Sequence, residues 1–186
     1  MRVIAGSARG HKLSCLPGES IRPTLDRIRE AVFSSLTPWL PESKVLDLFG
    51  GTGAMGIEAL SRGAAQAVFL DTDPRAVRLI EENLRFCRLW RPGVKAIRAD
   101  ALEWLEAFRP AEEEGFDLIF ADPPYQKGVY PAVLERIYRR QLLSPAGILV
   151  VESPKNLELP GEEGLLYREK EKTYGDVRIT YYKLKN

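Results

Sequence analysis

The sequence is poor in residues that hold metals or crosslinks, with two cysteines, one histidine and two methionines in 186 residues. Cys15 and Cys87 stand far apart, with no second Cys or His at ligand spacing, so neither a metal site nor a disulfide framework is expected and both read as free thiols. No apolar run approaches the roughly 20 residues that cross a bilayer, and Met1 to Gly6 lacks the apolar stretch of a secretory leader. A cytoplasmic protein with no membrane partner is the expectation. Charge of one sign is also lacking, since 27 Lys and Arg stand against 26 Asp and Glu, so an anionic partner must be met by a local patch and not by the total. Repeats and low-complexity segments are absent, and Glu112 to Glu114 reads as a solvated loop.

What is present is enough apolar sequence, 45% of residues, for one principal core. Runs of β type at Val45 to Phe49, Ala67 to Leu70, Val94 to Ala99, Phe116 to Ala121 and Ile148 to Val151 alternate with helical patterns. Those patterns are Ala54 to Arg62, Pro74 to Leu89 with Asp73 as N-cap, Ala101 to Phe108 and Val129 to Arg140. The alternation predicts an α/β fold with a mostly parallel sheet. Leu165 to Thr173 and Val177 to Leu184, split by Tyr174-Gly175-Asp176, predict an antiparallel C-terminal hairpin. Upstream, Val3 to Ala5 and His11 to Leu16 flank a glycine-containing turn, and Thr24 to Leu36 is helical. Residues 1–40 therefore read as a small N-terminal appendage and 41–186 as the main domain.

The segment from Val45 to Gly56 combines a strand, a glycine-rich turn and a helix start, with Gly51, Gly53 and Gly56 in the pattern G-x-G-x-x-G. Missing Cβ atoms let a ligand lie against the backbone, and Asp71, at the end of the next strand, can accept from both hydroxyls of a ribose. A nucleoside cofactor suits both features, and so far a nicotinamide dinucleotide would too. Asp47 discriminates, because a carboxylate just before the loop attracts the ammonium of a methionyl group and repels a pyrophosphate. S-adenosyl-L-methionine is therefore favoured. Asp100, after the third strand, is placed to accept from the adenine amine, to cap the following helix, or both.

Asp122-Pro123-Pro124-Tyr125 follows an apolar strand at the carboxyl edge of the sheet, where open α/β folds bind ligands. Paired prolines fix φ and carry no amide hydrogen, so the turn can aim the Asp122 side chain and the Pro123 carbonyl at one amino group. Tyr125 can stack on a base. An exocyclic amine is a poor nucleophile because its lone pair is delocalised into the ring, and two acceptors holding its hydrogens turn that lone pair toward a methyl donor. The bland alternative is a Pro-rich strand exit with a core tyrosine.

The tetrapeptide resembles the [Asn/Asp/Ser]-Pro-Pro-[Tyr/Phe/Trp] motif of amino-methyltransferases, and the whole chain resembles the bacterial RsmD-type 16S ribosomal RNA guanine-N2 methyltransferases. Further carriers of the likeness are Met1 to Gly6 with Arg9-Gly10, the block Arg22-Pro23-Thr24 with Asp26-Arg27 and Arg29-Glu30, and Gly56 to Ala64. The resemblance implies a Rossmann-like class I methyltransferase sheet that forms N2-methylguanosine in 16S ribosomal RNA, naked or in a small-subunit assembly intermediate. By the same resemblance Asp47 with Gly50, Gly51, Thr52 and Gly53 contacts the methionyl end, Asp71 the ribose, Asp100 the adenine, and Asp122 with Tyr125 the guanine.

Arg2, Arg9, Lys12, Arg22, Arg27 and Arg29 give the N-terminal segment a local positive excess that can grip phosphates, although pairing with Asp26 or Glu30 competes for Arg27 and Arg29. Arg9, Lys12 and Arg22 are the residues assigned to RNA. His11 reads as a strand surface residue. Because the amine is occluded in paired RNA, the target base must be unpaired or flipped out. A DNA adenine-N6 methyltransferase would use the same motif, but no separate target-recognition domain is visible. An NAD-dependent dehydrogenase or a nucleotide-binding module would share the glycine loop and leave Asp122 to Tyr125 without a role.

Overall fold

The computed structural model describes residues 1–16, 23–109, 115–124 and 128–185. In chain order it contains α1 (Pro23–Leu36), β1 (Lys44–Asp47), α2 (Ala54–Ser61), β2 (Gln66–Asp71), α3 (Pro74–Phe86), β3 (Val94–Arg98) and α4 (Ala101–Ala107). There follow β4 (Phe116–Ala121), α5 (Val129–Arg139), β5 (Leu143–Pro154), β6 (Glu162–Glu163), β7 (Leu166–Tyr174) and β8 (Val177–Leu184). One sheet of order β3-β2-β1-β4-β5-β8-β7-β6 unites them. The first five strands pair in parallel, and β8 joins β5 antiparallel. The expected mostly parallel sheet with a C-terminal hairpin is the observed one.

Strand periodicity divides the core into two layers. Val45, Phe69, Leu118, Phe120, Ile148 and Val150 face one layer, with α1, α2, α3 and residues of the N-terminal segment, while Leu46, Leu70, Ile119, Leu149 and Val151 face the other, with α4 and α5. Helices on both faces explain why the parallel strands read as continuous apolar runs and not as alternating ones. Each fully buried large side chain, such as Phe33 or Phe69, contributes about 1.5–3 kcal/mol of transfer free energy.

Several boundaries moved. Helix α3 has the expected Asp73 cap, whose side chain accepts from Arg75 N, but it stops at Phe86 because Arg88 takes φ 59°, where the chain turns out of the helix. Strand β5 continues past Val151 through Glu152, Ser153 and Pro154, held by pairing with Ile179, Arg178 and Val177 of β8. Those polar residues hid its true end. The N-terminal residues form a hairpin-like turn with a single bridge between Arg2 and Lys12, and Val3, Ala8 and Leu13 are buried in the same core as the sheet. Among the described residues no helix is long and apolar enough to cross a membrane, and no cluster of His, Cys, Asp and Glu could hold a metal ion.

Candidate active site

The period of two that builds the core also builds the site. Asp47 extends the row begun by Val45, Asp122 the row Leu118 and Phe120, and Glu152 the row Ile148 and Val150. Three carboxylates thus emerge on one face at the carboxyl ends of β1, β4 and β5. They line a cavity of about 340 Å³ together with Phe49, Gly50, Gly51, Thr52 and, from the N-terminal side, Met1, Ile28, Arg29 and Val32.

The loop after β1 is held from several sides. Gly51 has φ 53° and open space where a Cβ would stand, so no side chain would separate its backbone from a ligand. Gly56 is required for a different reason, since a Cβ there would lie 2.2 Å from Phe69 Cε1, and its absence lets α2 lie close on the sheet. Asp71 accepts from the Gly51 amide at 2.9 Å and from the Asp73 amide at 2.9 Å, which fixes the loop against the end of β2. Asn83, buried in α3, donates to Thr52 O at 3.0 Å and exchanges hydrogen bonds with the Ser14 backbone at 2.9 and 3.1 Å.

Electrostatically the cavity is short of cations for its acids. Burial raises the Asp47 pKa from 3.8 to about 7, against the lowering effect of the Gly56 amide at 3.2 Å, and the charges of Asp122 and Asp71 raise it further. Glu152 is pushed up to about 7 by burial and then by the charge of Asp122. Asp122 keeps surface open to the cavity, while dense protein on its other sides raises its pKa to about 6. A positively charged nucleoside cofactor relieves all three groups, whereas a pyrophosphate meets repulsion from each. The residues present therefore fit a sulfonium-bearing ligand.

The anticipated residues do not all meet. Asp47, Gly50, Gly51, Thr52 and Asp122 line the cavity, and Gly53 caps α2 with φ 78°. Asp71 and Asp100 lie outside its wall, Asp100 capping α4 through Glu103 N at 3.0 Å. Pro123 is buried, and its carbonyl accepts from Tyr130 Oη at 3.4 Å. Tyr125 and Arg22 fall outside the described residues. Arg9 and Lys12 are exposed. Arg29, counted in the positive excess, is instead 4% exposed and paired with Asp26 at 3.0 Å, so it does not belong to a phosphate-gripping surface. His11 Nδ1 lies 2.8 Å from Ala8 O, and its ring packs edge-on against Phe86.

Sequence reasoning missed Glu152, Asn83 and Glu58. Glu58 is fully buried in α2 and accepts from the Ile4 and Ala5 amides at 2.8 and 3.0 Å and from Arg62 Nε at 2.7 Å. Ser61 adds a second tie, donating to Ala5 O at 2.6 Å and accepting from the Ala8 amide at 3.0 Å. Charged and amide residues in otherwise apolar rows were the available signal for all three.

The family model described as Conserved hypothetical protein 95 matches residues 1–183. YlbH of Bacillus subtilis, a candidate rRNA methyltransferase, is 38% identical over 183 residues, covering 98% of each chain. Ribosomal RNA small subunit methyltransferase D of Haemophilus influenzae is 34% identical over 98% of this chain and 93% of its own length. The solved structure of the candidate methyltransferase yhhF from Escherichia coli superposes with a TM-score of 0.85 at 30% identity, covering 100% of this chain and 98% of that one.

Proposed function

Because the chain belongs to the Conserved hypothetical protein 95 family, together with the small-subunit ribosomal RNA methyltransferase D proteins, we propose that it methylates the N2 amine of a guanine in 16S ribosomal RNA using S-adenosylmethionine. The observation that carries this reading is the convergence of Asp47, Asp122 and Glu152 on one cavity beside a glycine loop, an acidic lining that favours a cationic ligand.

S-adenosylmethionine supplies an electrophilic methyl group on a sulfonium. The chain binds and orients. Asp47 would hold the methionyl ammonium, and Gly50, Gly51, Thr52 and Gly53 would hold the rest of the methionyl end. Asp71 retains acceptor capacity beyond its two backbone bonds and would take the ribose hydroxyls, and Asp100 would take the adenine amine. At the other end Asp122 would accept one hydrogen of the target amine and the remaining lone pair of the Pro123 carbonyl the second, which would free the nitrogen lone pair for a methyl donor. Tyr125 stacks on the extruded base. Transfer would break the methyl–sulfur bond, the electron pair staying on sulfur in the neutral thioether S-adenosylhomocysteine, and the methylated amine would give up one proton to Asp122 or water. Arg9, Lys12 and Arg22 hold RNA phosphates, in the cytoplasm, on naked RNA or a small-subunit assembly intermediate.

Titration calorimetry of the free protein with S-adenosylmethionine and with NAD tests the cofactor. Binding of the first and none of the second supports the reading. Tight NAD binding without S-adenosylmethionine binding overturns it.

A further inference from the structure

We propose that Glu152 reads the target base, its carboxylate accepting the N1–H of guanine while Asp122 accepts from the N2 amine beside it. The inference rests on the guanine-amine reading of the site and assigns that reading its specificity.

Ala121, the last residue of β4, stands in register with Val151 of β5, and Asp122 and Glu152 are the residues that follow them, one just past β4 and the other still within β5, on segments that adjacent strands bring in roughly 4.8 Å apart. Both side chains fall on the face that carries Phe120 and Val150, and both line the same cavity. They sense each other, since the Asp122 charge acts on Glu152. Among the described residues no hydrogen bond or ion pair meets the Glu152 carboxylate, and its neighbour on the other strand is the apolar Ile179. Half-buried at the end of an apolar row, it has an acceptor to offer and no protein donor for it.

The chemistry of the bases decides what answers two acceptors side by side. On its Watson–Crick edge guanine offers two adjacent donors, the N1–H and the N2 amine. Adenine offers an amine beside N1, whose lone pair a carboxylate repels. A site with unpaired acceptors rejects the base that lacks a donor far more strongly than a shape mismatch would. Asp122 alone cannot make that distinction, because both bases bring it an amine.

The test compares guanosine with 2-aminopurine riboside at the mapped target position in the RNA, naked or reconstituted into particles, using labelled S-adenosylmethionine. 2-Aminopurine keeps the 2-amine and has no N1–H. Wild type is expected to favour guanosine by at least about 30-fold in kcat/KM, and Glu152→Ala to shrink that ratio at least about tenfold. Glu152→Gln keeps the shape and one acceptor oxygen, so it should fold as wild type does and give an intermediate ratio; it serves as the readout should the alanine variant fail to fold. The two-by-two comparison isolates the contact from other changes at the base. Guanine methylation with the same ratio in wild type and both variants overturns this inference alone. Label found in N6-methyladenosine overturns the guanine reading and this inference with it.

Discussion

Glu58 in α2 holds the backbone amide of Ile4 at 2.8 Å, so the first residues of the chain are fastened to the helix that begins at the cofactor loop. From that anchor Met1 reaches the cavity wall, where Thr52 Oγ1 lies 3.5 Å from its sulfur. The N-terminal segment and α1 therefore help to enclose the cavity, with Arg29 near both Glu58 and Asp26.

Replacing Glu58 by Ala should leave two backbone amides, Arg62 and part of Arg29 without their acceptor. A buried charge network broken on one side costs about 3–5 kcal/mol. Urea unfolding should show that loss, with weaker S-adenosylmethionine binding in proportion to the loosened wall. An unchanged midpoint would mean that the N-terminal segment is not held by this residue.

With Asp47 at the ammonium site, cofactor binding should depend on pH. Its pKa in the free protein, about 7, lies above its ordinary 3.8, so the protonated form suits the empty pocket and the ionised form suits the cation. The free protein accordingly gives up stability as pH rises from about 4 to about 7, while cofactor binding releases a proton and strengthens over the upper part of that range. Between pH 7.5 and 6 the dissociation constant should weaken severalfold, following the ionised fraction of a carboxyl whose pKa is about 7. Calorimetry in buffers of different ionisation enthalpy reads the proton directly, and Asp47→Asn should diminish both effects, leaving the share that Glu152 and Asp122 carry in the same cavity. Affinity that is flat across this range would remove Asp47 from the ammonium site.

Much of this site was legible in the sequence because glycine loops and the Asp122 tetrapeptide are local signals: a turn needs its residues in order. The sheet was legible for a similar reason, each strand being a short apolar run between turns. Glu152 was not, because its significance lies in register with a strand more than twenty residues away, and the polar pair Glu152-Ser153 looked like the end of β5. Glu58 also escaped, and for Arg29 the pairing with Asp26 was foreseen but not the burial, since a charged residue on a helix reads as solvated until the opposing layer is known. Asp71 shows the converse: its position at the end of β2 was foreseen, while its two bonds to the Gly51 and Asp73 amides belong to loop geometry that spacing cannot express.

Asp122→Ala should slow methyl transfer by at least about 100-fold, the loss expected when one preorganised contact of roughly 3 kcal/mol leaves the transition state. Cofactor affinity should change far less. Asp122→Asn keeps an acceptor oxygen, so alignment of the amine predicts appreciable single-turnover activity. Activity no better than that of the alanine variant would make Asp122 an obligatory proton acceptor instead. At position 125, Phe should retain most activity and Ala should not, because stacking needs the ring.

Arg9, Lys12 and Arg22 replaced together by Ala should lower RNA affinity and flatten its dependence on salt, with cofactor binding intact. Filter binding across salt concentrations measures both. If affinity and slope stay where they were, the RNA docks on another face.

The central claim is the transfer of a methyl group from S-adenosylmethionine to a guanine amine of ribosomal RNA. Tritium-labelled cofactor, incubated with the protein and unmethylated 16S RNA or small-subunit particles and followed by digestion to nucleosides, tests it in one step. The account predicts label in N2-methylguanosine, abolished in Asp122→Ala. Label in N6-methyladenosine, or none in RNA from either substrate, would contradict it.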